Sequence, residues 1–333
     1  MRGVSQPLRH AARSPNDEPM PSPPNTEPAA LVGRLVRADR RAIAEVMTRL
    51  ERQSADSRDL VSALRPHLGK AFVAGVTGPP GAGKSTLVNA LIGEARAAGW
   101  RVAVLAVDPS SPVTGGAVLG DRVRMTAAHD DDGVMVRSLG SRGTLGGLTP
   151  AAVRMIDALD AAGFGVIFLE TVGTGQSEVD IAEIADVVLV VSAPGLGDGI
   201  QAMKAGLLEI ADILVVNKAD RDGADRTADE LAAALAMRAA PSDVAVSRTS
   251  AIKGDGVPGL WRQIVDRGAA SRAEGLEWRR RRRARYLIAR AAAELVESRI
   301  RDGDEATDAL ADSVLAGGMS PLEAAAKLLR TIA

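Results

Sequence analysis

There is no cysteine anywhere in the 333 residues. Disulfides, thiolate metal ligands and cysteine nucleophiles are thereby excluded. Histidine is nearly as scarce. His10, His67 and His129 are the only three, and they lie far apart in sequence, so no histidine-rich metal site is expected. Aromatic residues make up 2%, which leaves little for a platform on which nucleic-acid bases could stack. The net charge is −1, so no overall field draws the chain toward nucleic acid or an anionic membrane. No apolar run reaches the roughly 18 residues of a membrane span. The opening stretch, with "SPNDEPMPSPPNTEP", is rich in Pro, Ser, Asn and Glu and lacks the apolar core of a signal peptide. It predicts a disordered tail over residues 1–28 and a chain that works in the cytoplasm.

What is present is ordinary for a globular α/β protein: 46% apolar and 25% charged residues, in a chain long enough for a substantial core. In residues 29–68, Leu31, Leu35, Ile43, Val46 and Leu50 recur near helical spacing, which predicts two or three helices. From Ala71 the pattern changes. Short β-branched runs alternate with amphipathic stretches, and strands are predicted at Phe72–Val76, Val102–Val107, Val134–Arg137, Val166–Glu170, Val187–Ser192, Ile213–Val216 and Val244–Ser247. Uninterrupted apolar strands between helices imply a mostly parallel sheet covered on both faces. The predicted organisation is a sheet-containing domain over residues 69–267 and a helical region over 268–333.

The stretch "GPPGAGKS", Gly78 to Ser85, satisfies G-x-x-x-x-G-K-[ST] in full, after a predicted strand and before a helix predicted at Ser85–Ala98. Such a loop turns backbone N–H groups inward around phosphate oxygens, and the helix N-terminus adds partial positive charge. The candidate phosphate-binding residues are Gly78, Pro79, Pro80, Gly81, Ala82, Gly83, Lys84, Ser85 and Thr86. Lys84 is expected to reach the β- and γ-phosphates, and the Ser85 hydroxyl to ligate Mg²⁺.

The base is specified further on. "NKAD", Asn217 to Asp220, follows the predicted strand "ILVV". An Asp at that position accepts two hydrogen bonds from the N–H edge of guanine, whereas adenine would leave a buried acceptor unpaired. Asn217, Lys218 and Asp220 are therefore candidate guanine residues, with Ser250, Ala251 and Ile252 as the third base-contacting loop. Between these motifs, Asp108 emerges at a strand end and Asp121 follows in the same loop; both are hard oxygen donors suited to Mg²⁺ or its waters. Asp121 fits a plain solvated loop acid as well. "FLETVGTGQSE" has the form of a γ-phosphate sensor, with Glu170 as the acid and Gly173 offering its N–H. Gln176 stands three residues past Gly173, displaced from the usual offset of a water-positioning glutamine.

"AVDPSSPVTGGAVLGDRVRM", "GTLGG", "ETVGTGQSEVDIA" and "PGLGDGIQAMKAGLLEIADILVVNKAD" together resemble the MeaB/ArgK family, GTPases that accompany adenosylcobalamin-dependent mutases. The resemblance runs from about residue 31 to the C-terminus. It implies a P-loop NTPase fold with N-terminal helices and a C-terminal helical arm that dimerises. It implies slow GTP hydrolysis that a partner accelerates, with GTP/GDP and Mg²⁺ as cofactors. It further implies a chaperone that gates adenosylcobalamin delivery to methylmalonyl-CoA mutase or a related acyl-CoA mutase and protects or reactivates it. A cobalamin adenosyltransferase is a further candidate partner; no nucleic acid or membrane is expected. By motif, Lys84, Asp108, Glu170 and Gly173 become the catalytic set, and Ser85, Asp108, Asp121 and Glu170 the metal set. The segment "APGLGDGIQAMK" resembles the family's extra switch loop, so Gln201 and Lys204 join Gln176 as switch candidates. Two other readings stay open: a metal-insertion GTPase, disfavoured by the missing cysteines, and a small-molecule kinase of arginine/ornithine type. The run "WRRRRRAR", Trp278 to Arg285, spreads its charge all round a helix. It is expected to be solvated or to meet an acidic surface on a partner subunit.

Overall fold

The computed structural model describes residues 28–108, 131–140, 148, 150–171, 177–196, 206–236 and 244–332, apart from the side chains of residues 108, 177–179, 331 and 332. Of the expected tail, residues 1–27 lie outside this set.

Seven strands form one all-parallel sheet in the order β3-β2-β4-β1-β5-β6-β7. They are β1 (Phe72–Thr77), β2 (Val102–Asp108), β3 (Val134–Gly140), β4 (Val166–Thr171), β5 (Val187–Ser192), β6 (Ile213–Val216) and β7 (Ala245–Arg248). Every strand anticipated from the apolar runs is present, with ends shifted by up to three residues. β1, β4, β5 and β6 are buried along their whole length. That is why they read as largely continuous apolar runs rather than alternating ones. Each such side chain taken from water stabilises the fold by about 1.5–3 kcal/mol.

Helices cover both faces. On one lie α1 (Pro28–Val36), α2 (Arg40–Arg52), α3 (Ser57–Leu64), α5 (Pro150–Ala161) and α6 (Ser177–Ile184). On the other lie α4 (Lys84–Ala97) and α9 (Val257–Ala273), packed through Leu87, Leu91, Leu260 and Ile264. The remaining described helices are α7 (Leu207–Ile210), α8 (Ala224–Ala236), α10 (Leu276–Asp302), α11 (Glu305–Leu315) and α12 (Pro321–Ile332). α2 starts where the Asp39 carboxylate accepts from the N–H groups of Arg41 and Ala42. Beneath α9 the rings of Phe72, Trp100 and Trp261 stack edge to face, with successive centroids 5.8 Å apart, and Arg272 lies over the first two.

At the N-terminal edge of the sheet, three aspartates pin the chain. Asp160 accepts from the N–H groups of Gly69, Lys70 and Ala71 at 2.6–2.9 Å. Asp186 accepts from Val73 N–H at 2.8 Å, and Asp212 from Val188 N–H at 2.7 Å. Asp186 is the hub. Its side chain is wholly inaccessible, and its Oδ2 also takes Arg279 Nη1 at 3.2 Å and Arg283 Nη2 at 3.0 Å.

This corrects the expectation for the arginine run. Arg279 and Arg283 are buried, and the acid they meet belongs to their own chain. Arg283 Nε donates to Ile184 O at 2.9 Å and Arg282 to Ala185 O, so the guanidinium groups cap the C-terminus of α6, where carbonyls are left without intrahelical partners. The spacing of four puts Arg279 and Arg283 on one face of α10. Arg281 and Arg285 stay exposed. One turn further, Tyr286 donates to Leu148 O at 2.7 Å, and Arg290 pairs with Asp180 of α6 at 3.3 Å.

Candidate functional site

The C-terminal end of β4 and the loops that leave the C-terminal ends of β1, β6 and β7 converge. β1 is central, and the chain passes from it to β2, skipping the position that β4 later fills. In open α/β sheets that arrangement opens the ligand crevice at the carboxyl ends of the strands.

The loop after β1 is shaped by glycines that no other residue could replace. Gly78 has φ 136°, and a Cβ on it would stand 2.1 Å from Val191 O. Gly83 has φ 88°, and a Cβ there would stand 2.6 Å from Asn217 Nδ2. With these turns the loop closes on itself, Ala82 N–H donating to Pro79 O at 3.3 Å, and α4 starts at Lys84. Lys84 is 6% exposed. Its Nζ donates to Gly78 O at 2.8 Å and Pro79 O at 3.1 Å, which holds the ammonium inside the curve of the loop.

Across the β1–β4 seam, Ser85 Oγ donates to Glu170 Oε1 at 2.6 Å. Glu170 is buried, at 3% exposure. A hydroxyl and a carboxylate in contact at the mouth of a phosphate-type loop form an oxygen pair that suits a hard divalent cation. One residue along each strand, Thr171 Oγ1 donates to Thr77 Oγ1 at 3.1 Å.

The second half of the site hangs on Asn217, which is 1% exposed. Its Nδ2 donates to Ala82 O at 3.0 Å and Gly83 O at 3.3 Å; its Oδ1 accepts from Ala251 N–H at 3.2 Å and Thr249 Oγ1 at 3.4 Å. One amide thus ties the loop after β1 to the loop after β7. Lys218 adopts φ 57°, a left-handed conformation that a side chain rarely takes, and its Nζ reaches Gly81 O at 2.6 Å. Asp220 Oδ1 accepts from Ser250 Oγ at 2.7 Å. That hydrogen bond is the main cause of a carboxyl pKa below the usual carboxylate range, so Asp220 is ionised at neutral pH.

The structure therefore brings together Gly78, Pro79, Gly81, Ala82, Gly83, Lys84, Ser85, Glu170, Asn217, Lys218, Asp220, Ser250 and Ala251. Ile252 stands apart at 84% exposure. Asp108 closes β2, where the preceding Val107 is abreast of Thr171. Asp121, Gly173, Gln176, Gln201 and Lys204 lie outside the described residues. Residue patterns did not single out Thr249, Thr77 or Thr171; the available signal was a hydroxyl residue at or just past the end of an apolar strand.

Three comparisons bear on this arrangement. The family model described as methylmalonyl-CoA mutase-associated GTPase MeaB matches residues 40–305. A Pyrococcus horikoshii protein whose name carries the word GTPase is 44% identical over 308 residues, 91% of this chain and 97% of its own. The Escherichia coli GTPase ArgK is 38% identical over 261 residues, 74% of this chain and 78% of its own. The mouse mitochondrial methylmalonic aciduria type A homolog is 36% identical over 247 residues, 68% of this chain and 60% of its own. Among solved structures, one described as LAO/AO transport system kinase superposes with a TM-score of 0.73 at 27% identity, covering 92% of this chain and 98% of that one.

Proposed function

We propose that this chain, which belongs to the family of methylmalonyl-CoA mutase-associated GTPases called MeaB, is a slow GTPase whose nucleotide state gates the loading and protection of an adenosylcobalamin-dependent acyl-CoA mutase. The observation that carries the nucleotide half of this reading is Asn217. Its single side chain joins the phosphate-type loop at Ala82 and Gly83 to the loop that holds Ser250 against Asp220.

In this reading Asp220, ionised and oriented by Ser250, accepts the two N–H groups of guanine, and the Lys218 stem flanks the base. The N–H groups of residues 81–86 and the α4 N-terminus surround the phosphates. Lys84 shifts its ammonium between loop carbonyls and the β- and γ-phosphate oxygens. Ser85 and Glu170, with Asp108 and Asp121, are the residues that would hold Mg²⁺, which when bound neutralises charge on the β- and γ-oxygens. Water attacks the γ-phosphorus, the bond from that phosphorus to the β–γ bridging oxygen breaks, and GDP and inorganic phosphate leave with a proton passed to solvent. Lys84 stabilises the charge that gathers on the bridging oxygen. Gly173 would sense the γ-phosphate, and Gln176, Gln201 and Lys204 would carry that state to the partner.

The mutase half rests on the family. Methylmalonyl-CoA mutase is the first candidate partner. A homodimer through α10–α12 is supported by the exposed apolar residues Ile288, Leu295, Leu315, Leu322 and Leu329.

The test is GTP hydrolysis by the purified chain, alone and with methylmalonyl-CoA mutase from the same organism. A several-fold stimulation is expected. Hydrolysis that no acyl-CoA mutase accelerates would overturn the chaperone reading, and absence of hydrolysis under all conditions would overturn the GTPase reading.

A further inference from the structure

We propose that Thr77 is a positioning residue for nucleotide turnover: through Thr171 it holds the end of β4, and so Glu170, at a fixed distance from the phosphate-type loop. The inference rests on the GTPase reading above.

Thr77 is the last residue of β1, directly before Gly78, and Thr171 is the last of β4, directly after Glu170. Val76 is in register with Glu170, so the two threonines stand abreast. Both are wholly buried, and their hydroxyls are 3.1 Å apart. Successive residues of a strand face opposite sides of the sheet. Thr77 and Thr171 therefore share one face, while Val76 and Glu170 share the other, over which α4 brings Ser85. The seam between the two strands is pinned from both sides: by Ser85 and Glu170 on the α4 face, by Thr171 and Thr77 on the α6 face.

Stability alone does not call for these hydroxyls. The residues behind them on the same face, Val73, Ile167 and Leu169, are apolar and fully packed. A Val–Val pair would have nearly the shape of Thr–Thr, and replacing both partners of a buried hydrogen bond by apolar isosteres is close to neutral. What a hydrogen bond supplies and a methyl contact does not is a preferred distance and direction. That matters where a serine and a glutamate share a cation such as Mg²⁺, whose ligands must sit at about 2.0–2.1 Å in near-octahedral array.

The experiment compares the full-length parent with Thr77→Val/Thr171→Val and with Thr77→Ser. It measures melting temperature, the Mg²⁺ concentration that half-maximally slows release of a fluorescent GDP, and kcat and KM for GTP. The double variant is expected to melt within about 3 °C of the parent. Its Mg²⁺ requirement is expected to rise, and its kcat to fall, about tenfold each, inside the range that a displacement of an ångström or less costs, with KM at saturating Mg²⁺ changed less than about twofold. Thr77→Ser, which keeps the hydroxyl, restores both. A double variant with the parent's Mg²⁺ requirement and kcat overturns the proposal while leaving the GTPase reading intact. So does one that melts about 10 °C lower, since the pair would then be structural. A parent without GTP turnover overturns both.

Discussion

Replacing Asp186 by Asn changes one oxygen for an NH₂ group at a carboxylate whose side chain is wholly inaccessible. In the parent, Oδ2 gathers Val73 N–H, Arg279 Nη1 and Arg283 Nη2 within 3.2 Å. An asparagine can turn its carbonyl to Val73 or to the arginines but cannot satisfy all three. It also takes the salt-bridging carboxylate away from two buried guanidinium groups. Removing one member of a buried ion pair costs about 3–5 kcal/mol, because the remaining charge is stranded. Here two charges are stranded, but both retain carbonyl partners, Ala71 O for Arg279 and Ile184 O for Arg283, so the lower part of that range applies. A loss of about 3 kcal/mol corresponds to roughly 6–12 °C in Tm for a domain of this size class. Differential scanning calorimetry of the parent and Asp186→Asn, with Arg283→Met and the double variant to complete a cycle, measures it. The double variant should recover at least about 1 kcal/mol relative to the sum of the singles. A Tm change below about 2 °C in Asp186→Asn, or strict additivity in the cycle, would refute the claim that this cluster fastens α10 to the sheet.

Lys84→Ala should abolish GTP turnover in a phosphate-release assay, since it removes the cation that neutralises the γ-phosphate. Asp220→Asn should weaken GTP binding about a hundredfold, since it removes the charge from both hydrogen bonds to guanine, with little change for ATP, as competition titrations would read. Because the Asp220 pKa is depressed, its share of GTP affinity should be flat through the neutral range and decline only as pH falls through that low value. Asp157 behaves oppositely. Part of the residue remains accessible, yet burial pushes its carboxyl up to about 6 against the opposing pull of Arg283 and Arg280. The folded state then holds the proton more tightly than the unfolded one, so this group's contribution to stability falls as pH rises from about 4 to about 6. Asp157→Asn should therefore raise Tm at pH 7.5 relative to the parent and change it little at pH 4. Leu295→Glu should shift the chain toward monomer in sedimentation velocity if α10 carries a dimer interface.

The central strands were legible because a parallel strand covered on both faces is apolar nearly up to its C-terminal end, where Thr77, Glu170, Thr171 and Ser192 stand, and such short β-branched runs leave little choice of element. The phosphate-type loop was legible because its glycines answer to backbone geometry, which the motif records directly. Asn217 was foreseen as part of a guanine reader, but not as the tie between two loops; that role depends on carbonyls, and every residue has one. The arginine run was misread for a related reason. Charge along a sequence does not disclose which guanidinium faces inward until the helix opposite is known. A clue was present all the same. "IAD" stands before β5 and again before β6, at Ile184–Asp186 and Ile210–Asp212, and in both places the aspartate takes an N–H of the neighbouring strand.

The aromatic stack beneath α9 has an optical consequence. The chain holds three tryptophans. Trp100 and Trp261 meet edge to face at 5.8 Å, close enough for their transitions to couple, so the near-ultraviolet circular dichroism of the protein is dominated by one spot where β1, α4 and α9 come together. Trp278 is separate, half exposed on α10 with Arg282 across its ring, and emits in a wet environment. The protein thus carries two native chromophores of different colour, one reporting on the sheet and one on the arm. A change in the red edge of the emission without a change in the dichroism would mark the arm moving over an intact sheet.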